Sequence, residues 1–276
     1  RGQIGQAVND VVDKLEFEML DTDVDDLDVT DTDEVLRFGE MNRPDIIINC
    51  SGMTDISSCE ENPSQAFKVN ALGARNLAIV AAKMQAKMVQ LSTDDVFDGK
   101  STEPYTEFDI TNPGTVYGKS KLAGENYVKE FTTKHFIVRS TWVYGKGQNF
   151  INGFLKKVDA GEQLSIASDQ FGSPTSANEL ARFLLHLVHT SEYGTYHATN
   201  KGVCSRYAFA QEILKMTGKT ASMQPVPTVM SDFSKVRPAY AVLDNFIMSM
   251  VPIYDFPDWQ DSLREYLEER GLYHAE

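Results

Sequence analysis

The sequence lacks most of the features that mark a membrane, secreted or nucleic-acid-binding protein. No apolar run approaches the roughly 20 residues that cross a bilayer, and we see no secretory signal pattern. Basic residues are scarce, because 26 Lys and Arg stand against 40 Asp and Glu, for a formal net charge of −14. Phosphate backbones and anionic lipids require clustered Lys and Arg, so we expect neither nucleic acid nor a membrane as a partner.

Cysteine is also rare. The three cysteines, Cys50, Cys59 and Cys204, show no metal-ligand spacing, and their odd number fits a reducing compartment. We therefore expect a cytoplasmic protein whose thiols are buried or have no chemical role, and we predict no metal-ligating residues.

The dominant positive signal is an alternation of strand and helix patterns along 276 residues, enough for one large domain or two modest ones. Short β-branched runs at 44–52, 87–93 and 135–145 alternate with helical spacing at 64–86 and 120–134. Repeated β-α-β units predict an α/β fold with a Rossmann-like, doubly wound parallel sheet. Ligands should then bind at the C-terminal ends of the strands.

The pattern changes after about residue 150, where helices are predicted at 176–190, 205–218 and 257–271 between Gly- and Pro-containing turns. We therefore predict an NAD(P)-binding domain over residues 1–150. Residues 151–276 should form mainly a smaller, substrate-binding lobe, with some segments returning to the first domain.

The first residues resemble part of a phosphate-binding loop, because Gly2 and Gly5 precede a helix. The usual loop follows a strand and one more glycine, so either the sequence begins inside the motif or the chain lacks that strand. Asp21 follows a predicted second strand, "FEML" (17–20), where an acid can bind ribose hydroxyls and favours NAD. Arg1 would instead pair with a 2′-phosphate and favour NADP. Both NADPH and NADH therefore remain candidate cofactors.

A Thr, Tyr and Lys set points to carbonyl reduction. Thr93 ends a strand in "LSTDDVFDG" (91–99), and Tyr117 and Lys121 follow at the start of a predicted helix. A ketone that accepts hydride needs a proton, and a phenol with a pKa of about 10 supplies it more readily beside an ammonium. Residues four apart on a helix lie one above the other. This order of residues is similar to the active-site signature of short-chain dehydrogenases/reductases.

Six motifs in order resemble one branch of that superfamily, the dTDP-4-dehydrorhamnose reductases. They are "STDDVFDG", "NPGTVYGKSKLAGE", "RSTWVYG", "DQFGSPT", "GTYHATN" and "RPAYAVLDN". The resemblance extends from residue 1 to about residue 263. It implies NAD(P)H-dependent reduction of the 4-keto group of dTDP-4-dehydro-L-rhamnose to dTDP-L-rhamnose, for polysaccharide biosynthesis.

The resemblance also implies roles for individual residues. The catalytic residues would be Thr93, Tyr117 and Lys121. Cofactor contacts would come from Arg1, Gly2, Gln3, Ile4, Asp21, Asp28, Val29, Cys50, Ser51, Gly52, Thr54, Asn70, Tyr117 and Lys121. Substrate contacts would come from Thr93, Asp94, Val96, Phe97, Trp142, Gln170 and Arg237. A homodimer and a supporting Mg²⁺ are left open.

Two departures from the family pattern bear on the substrate. The family usually reads "STDYVF", and Asp95 replaces that tyrosine; it usually reads "AAYT", and Met53 replaces that tyrosine. Two aromatic rings near the sugar are therefore absent, which leaves a related nucleotide-sugar ketone open as the substrate.

Two other functions remain open from the sequence. A non-catalytic nucleotide-binding subunit is one, because a regulatory subunit of methionine adenosyltransferase has similar "VFDG" and "YGKTK" runs. A nucleotide-sugar epimerase or dehydratase is the other, because these enzymes share the Tyr/Lys helix. Asp94 and Asp95 would supply the acid pair that a dehydratase needs beside Thr93.

Overall fold

The computed structural model describes residues 2–230 and 238–274. Two predicted site residues, Arg1 and Arg237, lie outside the described residues. Within the two described ranges, no helix is long and apolar enough to cross a membrane.

Helices and strands alternate along the first half of the chain. In chain order the helices are α1 (Gln3–Val11), α2 (Thr32–Asn42), α3 (Ile56–Glu61), α4 (Pro63–Phe67), α5 (Ala74–Met84), α6 (Val116–Phe131), α7 (Phe150–Asp159), α8 (Ala177–Val188), α9 (Arg206–Thr217), α10 (Phe246–Met250) and α11 (Trp259–Glu269). The strands are β1 (Ile46–Asn49), β2 (Lys87–Thr93), β3 (His135–Ser140), β4 (Val143–Tyr144), β5 (Leu164–Ala167), β6 (Phe171–Gly172), β7 (Thr175–Ser176), β8 (Gly194–His197), β9 (Cys204–Ser205), β10 (Met223–Val226) and β11 (Tyr240–Ala241).

The main sheet has four parallel strands in the order β1-β2-β3-β8. Its register pairs Asn49 with Gln90, Thr93 with Ser140, and Arg139 with His197. The predicted α/β fold with a parallel central sheet is thus confirmed. Since the strands run the same way, Thr93 and Ser140 end at the same edge, where a parallel sheet binds ligands.

Helices cover both faces of this sheet. Val89 and Val138 belong to the apolar cluster that contains α1 and α8, whereas Met88 and Ile137 belong to the cluster that contains α2 and α5. Neighbouring residues of a strand point to opposite faces, so the consecutive apolar residues of β2 and β3, which enter both clusters, fit a sheet buried on both sides.

A further apolar cluster lies in the C-terminal half, among α7, α9 and α11. However, α8 and β8, with Met248, pack with the main sheet rather than with this cluster. A substrate-binding lobe over residues 151–276, with segments returning to the first domain, stays a prediction.

The predicted strand "FEML" (17–20) is wrong, because residues 12–31 contain no strand. Within the described residues no strand pairs with this segment, and a strand without a partner does not hold. Phe17 and Met19 instead pack, partly buried, against the α1 and α8 cluster.

Other predicted elements are shorter than expected, and the strand predicted over 44–52 is limited to Ile46–Asn49. The strand predicted over 135–145 ends at Ser140, because Trp142 adopts a φ of 47°, which turns the chain before β4. The helix predicted over 64–86 divides at Lys68–Gly73, where one turn is π-helical. Single π turns inside helices are frequent at functional sites.

Gly124 allows α6 to pack closely against the π-helical turn. A Cβ at Gly124 would clash with the backbone oxygen of Asn70 and lie 3.4 Å from the Cβ of Ala74. We predict that Gly124→Ala lowers the free energy of unfolding by about 1–3 kcal/mol, because neither neighbour is a flexible side-chain end. Urea denaturation measures this change.

The matched control is Gly153→Ala in α7, where a Cβ would meet nothing within 4 Å. Alanine is the better helix former there, so this variant should gain about 0.5–1 kcal/mol. A Gly124→Ala protein as stable as the control would contradict the close packing of α6.

Candidate active site

The end of β2 places a hydroxyl at the ligand edge of the sheet. Thr93 is buried, its Oγ1 donates to Asp94 Oδ1 at 3.1 Å, and it accepts from the Asp95 backbone N–H at 3.2 Å. Residues Asp94–Val96 form a short 3₁₀ turn that begins at this hydroxyl. The Thr93 side chain is therefore fixed by its own chain before any ligand binds.

Tyr117 lies in the first turn of α6, as the sequence predicts. Thr115 caps this helix, because its Oγ1 accepts the Gly118 N–H at 2.9 Å. A Cβ at Gly118 would clash with the backbone oxygen of Asp95. The helix that carries Tyr117 therefore begins in direct contact with the turn that follows Thr93.

Lys121 follows one turn later and is buried, with 4% of its surface exposed. Burial lowers the pKa of Lys121 to about 8, although the Glu125 carboxylate and Cys50 act in the opposite direction. In the described part of the chain, its Nζ has no hydrogen bond or ion pair within 4 Å. Lys121 is thus an ammonium at neutral pH, and its N–H donors make no hydrogen bond to the described residues.

The loop after β1 approaches the same ammonium. A Cβ at Gly52 would lie 3.8 Å from Lys121 Nζ and 3.2 Å from Asn70 Oδ1. Ser51 is held by Asn49, whose Oδ1 accepts the Ser51 Oγ hydrogen at 2.6 Å. The structure therefore brings Ser51 and Gly52 to the site of Lys121, while Thr54 lies exposed two residues further on.

Asn70, in the π-helical turn, connects this loop to α6. Its Oδ1 accepts the Met53 N–H at 2.8 Å, and its Nδ2 donates to the Met53 carbonyl at 2.9 Å and to Ser120 Oγ at 2.8 Å. All polar atoms of the amide are occupied by protein groups. In this structure Asn70 therefore organises the site; the cofactor contact predicted for it remains a prediction.

A buried charge network that the sequence did not reveal lies behind Lys121. Glu125, one turn further along α6, pairs with Arg139 of β3 through two hydrogen bonds of 2.9 and 2.7 Å. It also accepts the Ser92 hydroxyl at 2.6 Å. Burial alone would raise the pKa of Glu125, but Arg139 and Ser92 outweigh it and hold the pKa below its usual value. The i, i+4 spacing from Lys121 was the available signal.

The N-terminus of α1 fits a phosphate group. Gly2 precedes the helix, and among residues 2–230 and 238–274 no side chain caps it and a Cβ at Gly2 would meet nothing within 4 Å. No described residue therefore covers the first-turn N–H groups of Gln3 and Ile4, which suit a ligand. A Cβ at Gly5 would lie 3.7 Å from the Cβ of Cys50. The predicted cofactor residues of α1 and of β1 therefore lie side by side, and their donor set suits a dinucleotide pyrophosphate.

The remaining predicted cofactor residues differ in their surroundings. Asp21 lies beside α1, because Asn9 Nδ2 donates to its carboxylate at 3.1 Å. Asp28 accepts the backbone N–H of Thr30 at 2.8 Å, which lowers the pKa of Asp28. Val29 packs against Gly73 and the α2 and α5 cluster.

The predicted substrate residues lie partly in the core. Val96 and Phe97 are fully buried, and the Phe97 ring stacks on Tyr105 with centroids 4.3 Å apart. Their substrate contacts remain a prediction, as does the substrate contact of Asp94.

Trp142 lies between the backbone of Gly172 and the guanidinium of Arg206, whose Cζ is 3.4 Å from the ring centroid. This sandwich holds the unusual backbone of Trp142. Gln170 is buried and its Nε2 has no hydrogen-bond partner among the described residues. An unsatisfied buried donor beside this lobe suits a polar ligand.

A metal site is not evident in residues 2–230 and 238–274, where no group of three or more His, Cys, Asp or Glu is placed to hold an ion. Support by Mg²⁺ therefore rests on the sequence resemblance alone.

Comparison with known proteins gives matches along nearly the whole chain. Residues 1–271 match the family described as RmlD substrate binding domain. A Streptomyces niveus protein named dTDP-4-keto-6-deoxy-D-glucose reductase is 34% identical over 243 residues, 87% of this chain and 84% of that protein.

Solved structures agree. The structure of a dTDP-4-dehydrorhamnose reductase from Clostridium acetobutylicum is 40% identical, with a TM-score of 0.95 over 98% of this chain and 97% of that one. A dTDP-4-dehydrorhamnose reductase from Bacillus anthracis in complex with NADP is 36% identical, with a TM-score of 0.92 over 97% and 95%.

The three hydrogen bonds of Asn70 generate a stability prediction. Asn70→Ala should lower the free energy of unfolding by about 1–3 kcal/mol, because it leaves the partly buried Met53 N–H without its acceptor and removes the hydrogen bonds to the Met53 carbonyl and to Ser120 Oγ. The Met53 amide hydrogen should also exchange faster with solvent. Urea denaturation and amide exchange measure the two effects.

Asn42→Ala is the matched control, since its amide donates to Phe38 at the exposed end of α2. Its stability should change by no more than about 0.5 kcal/mol. If both alanine variants behaved alike, Asn70 would not connect the loop to α6.

Proposed function

We propose a reductase function for this chain, which belongs to the dTDP-4-dehydrorhamnose reductase family: it reduces the 4-keto group of dTDP-4-dehydro-L-rhamnose with NADPH or NADH and forms dTDP-L-rhamnose. The observation that carries this proposal is the contact between the turn after Thr93 and the first turn of α6, which contains Tyr117 and is followed one turn later by Lys121. This arrangement gathers a proton donor, a cation and a hydroxyl at the ligand edge of the sheet.

Tyr117 acts as the proton donor to the carbonyl oxygen. It lies in the first turn of α6 with 8% of its surface exposed. Lys121, four residues along the same helix, stabilises the negative charge that the phenol oxygen carries after it gives up the proton. The low polarity around the buried ammonium strengthens this effect.

Thr93 orients the substrate carbonyl. Its hydroxyl donates to Asp94 in this structure. For the proposed role, the O–H must turn from Asp94 to the substrate oxygen, while the Asp95 N–H continues to hold the Thr93 oxygen in place. The step needs only a rotation about the Cβ–Oγ bond, so the oxygen positions stay preorganised.

The cofactor is held by the N-terminus of α1 and the loop after β1. The first-turn N–H groups after Gly2 would bind the pyrophosphate, and Gly52 leaves room beside Lys121 for a ribose. When bound, the nicotinamide supplies the hydride to the carbonyl carbon. The Bacillus anthracis relative was solved with NADP, which supports NADPH, whereas Asp21 beside α1 supports NADH.

Two observations point to a second candidate substrate, a different dTDP-linked keto sugar. Asp95 is buried in the turn against α6, and Met53 packs in the same small cluster as Tyr117, where the sequence resemblance expects aromatic rings. The Streptomyces niveus relative is named for dTDP-4-keto-6-deoxy-D-glucose. Comparing kcat/KM for the two dTDP-keto sugars decides between them.

The other functions left open by the sequence are less well supported. Family membership and the Thr93, Tyr117 and Lys121 arrangement favour reduction over a non-catalytic subunit. Product mass separates the enzyme classes, because reduction adds two hydrogens, epimerisation adds none and dehydration removes water. A cytoplasmic location and a homodimer remain predictions.

Tyr117→Phe tests the proposed proton donor. We expect kcat to fall by about 10²–10⁴-fold, because the ring remains but the proton does not, while NADPH binding changes little. NADPH oxidation with the dTDP-keto sugar and cofactor fluorescence measure the two quantities. Tyr127→Phe, on the same helix, serves as the control and should keep full activity. Equal rates for Tyr117→Phe and wild type would refute the assigned role.

The activity should also depend on pH through Lys121. Its pKa of about 8 lies below the ordinary 10.5, so the ammonium is present below about pH 8 and is lost as the pH rises through that value. We therefore expect kcat/KM for reduction to fall on the alkaline side of about pH 8. Lys119→Met, which removes an exposed lysine of α6, should leave this alkaline decrease in kcat/KM (the alkaline limb) unchanged. A flat profile up to pH 10 would contradict the role of Lys121.

A further inference from the structure

Glu125 connects the three elements that build the candidate active site. It projects from α6, one turn beyond Lys121, and accepts the hydroxyl of Ser92, the residue before Thr93 on β2. Its two oxygens also receive the Nε and Nη2 hydrogens of Arg139 on β3. A single carboxylate therefore ties the helix of Tyr117 and Lys121 to the strand of Thr93.

The carboxylate is fully buried, and its partner Arg139 is 3% exposed. Burying an ion pair is costly, and such pairs often contribute nothing to stability that apolar side chains would not contribute as well. The stability of the sheet alone therefore does not account for a charge at this position.

The charges around Glu125 show what it acts on. Lys121 precedes it by four residues, Lys129 follows by four with its Nζ 3.7 Å from Oε2, and Arg139 lies on the sheet side. Of the three cations, Lys121 is buried and lacks an ion-pair partner within 4 Å among the described residues. Glu125 is the larger of the two influences that oppose the effect of burial on Lys121.

Other titratable groups lie on α6 and on the elements around it, and among them Cys50 acts on the Lys121 ammonium. They are Tyr117 on α6, Cys50 at the end of β1, Asp94 and Asp95 in the turn that packs against α6, Glu60 at the N-terminus of α6, and His197, beyond Arg139. Burial raises the pKa of Cys50 to about 12 and lowers the pKa of His197 to about 3, so both are neutral near pH 7. Glu125 is the carboxylate nearest to Lys121 along its own helix.

We propose that Glu125 is a positioning residue for the reduction: it fixes α6 against β2 and keeps Lys121 charged at neutral pH. This inference rests on the proposed function and goes beyond it, because Glu125 would contact neither substrate nor cofactor. Its charge acts on Lys121, and its hydrogen bond with Ser92 holds β2 against α6.

The test is Glu125→Gln, which keeps the size and shape of the side chain, removes the charge and replaces one of its two acceptor oxygens by an NH2 group. We expect the alkaline limb of kcat/KM to move to lower pH by about one unit, because the ammonium loses its counter-charge. The Nζ resonance of Lys121, in protein labelled with ¹⁵N-lysine and assigned with Lys121→Arg, should titrate at a correspondingly lower pH. That titration needs no substrate, so it separates this inference from the reductase proposal.

Two variants control the experiment. Glu130→Gln removes an exposed charge from the same helix and should leave both the limb and the resonance unchanged. Glu125→Gln combined with Arg139→Gln removes both charges of the buried pair, so neither is left without its partner and the variant should fold even where the single variant does not. Because Arg139 lies beyond Glu125 as seen from Lys121, the double variant should shift in the same direction by a smaller amount.

A purely structural role would give a different result. The inference would be overturned if Glu125→Gln and the double variant lowered thermal stability, and lowered kcat at every pH, while the pH at which Lys121 titrates did not change. A shifted titration in a protein that turns over neither keto sugar would support the role of Glu125 and refute the reductase proposal.

Discussion

The buried carboxylate of Glu125 is the interaction on which the candidate active site most depends. It lies on the helix of Tyr117 and binds Ser92 of β2 and Arg139 of β3, two strands that end at the ligand edge. An ion pair in the interior persists only when its geometry offsets the cost of desolvation. Here Arg139 donates two hydrogen bonds to Glu125 and Ser92 donates a third, and together they offset the desolvation cost. These bonds also fix the helix relative to Thr93.

Close backbone contacts complete the arrangement. Gly118 and Gly124 bring α6 against the turn after β2 and against the π-helical turn, at points where any side chain would clash. Asn70 then fixes the loop after β1 to the same helix. The three strand ends and one helix consequently behave as a single preassembled surface, which suits a reaction that requires hydride and proton to reach adjacent atoms.

Local patterns predicted the parts of this surface that depend on spacing along the chain. Hydrophobic periodicity and turn residues are enough to place Thr93 at the end of a strand. They also place Tyr117 and Lys121 four residues apart on a helix. Ordered motifs then identified the family. The strand at 17–20 failed because a strand requires a partner, which its own composition does not supply. The end of β3 was missed because the backbone of Trp142 depends on stacking with Arg206 and Gly172, which lie far along the chain.

Long-range polar partners were the other gap. Asn70 and Ser120 are 50 residues apart, and Glu125 and Arg139 lie on different elements 14 residues apart. A sequence shows such residues as single polar positions on a helix or strand, and their pairing appears only when the sheet register is known.

The most direct test of the reductase proposal is the fate of a labelled hydride. NADPH carrying deuterium at both hydrogen positions of the nicotinamide C4 should be incubated with the chain and dTDP-4-dehydro-L-rhamnose, and the product analysed by mass spectrometry and NMR. Reduction by this site predicts one deuterium at C4 of the sugar for each NADPH consumed, and almost none with Tyr117→Phe. Unlabelled product, or turnover without consumption of NADPH, would contradict it.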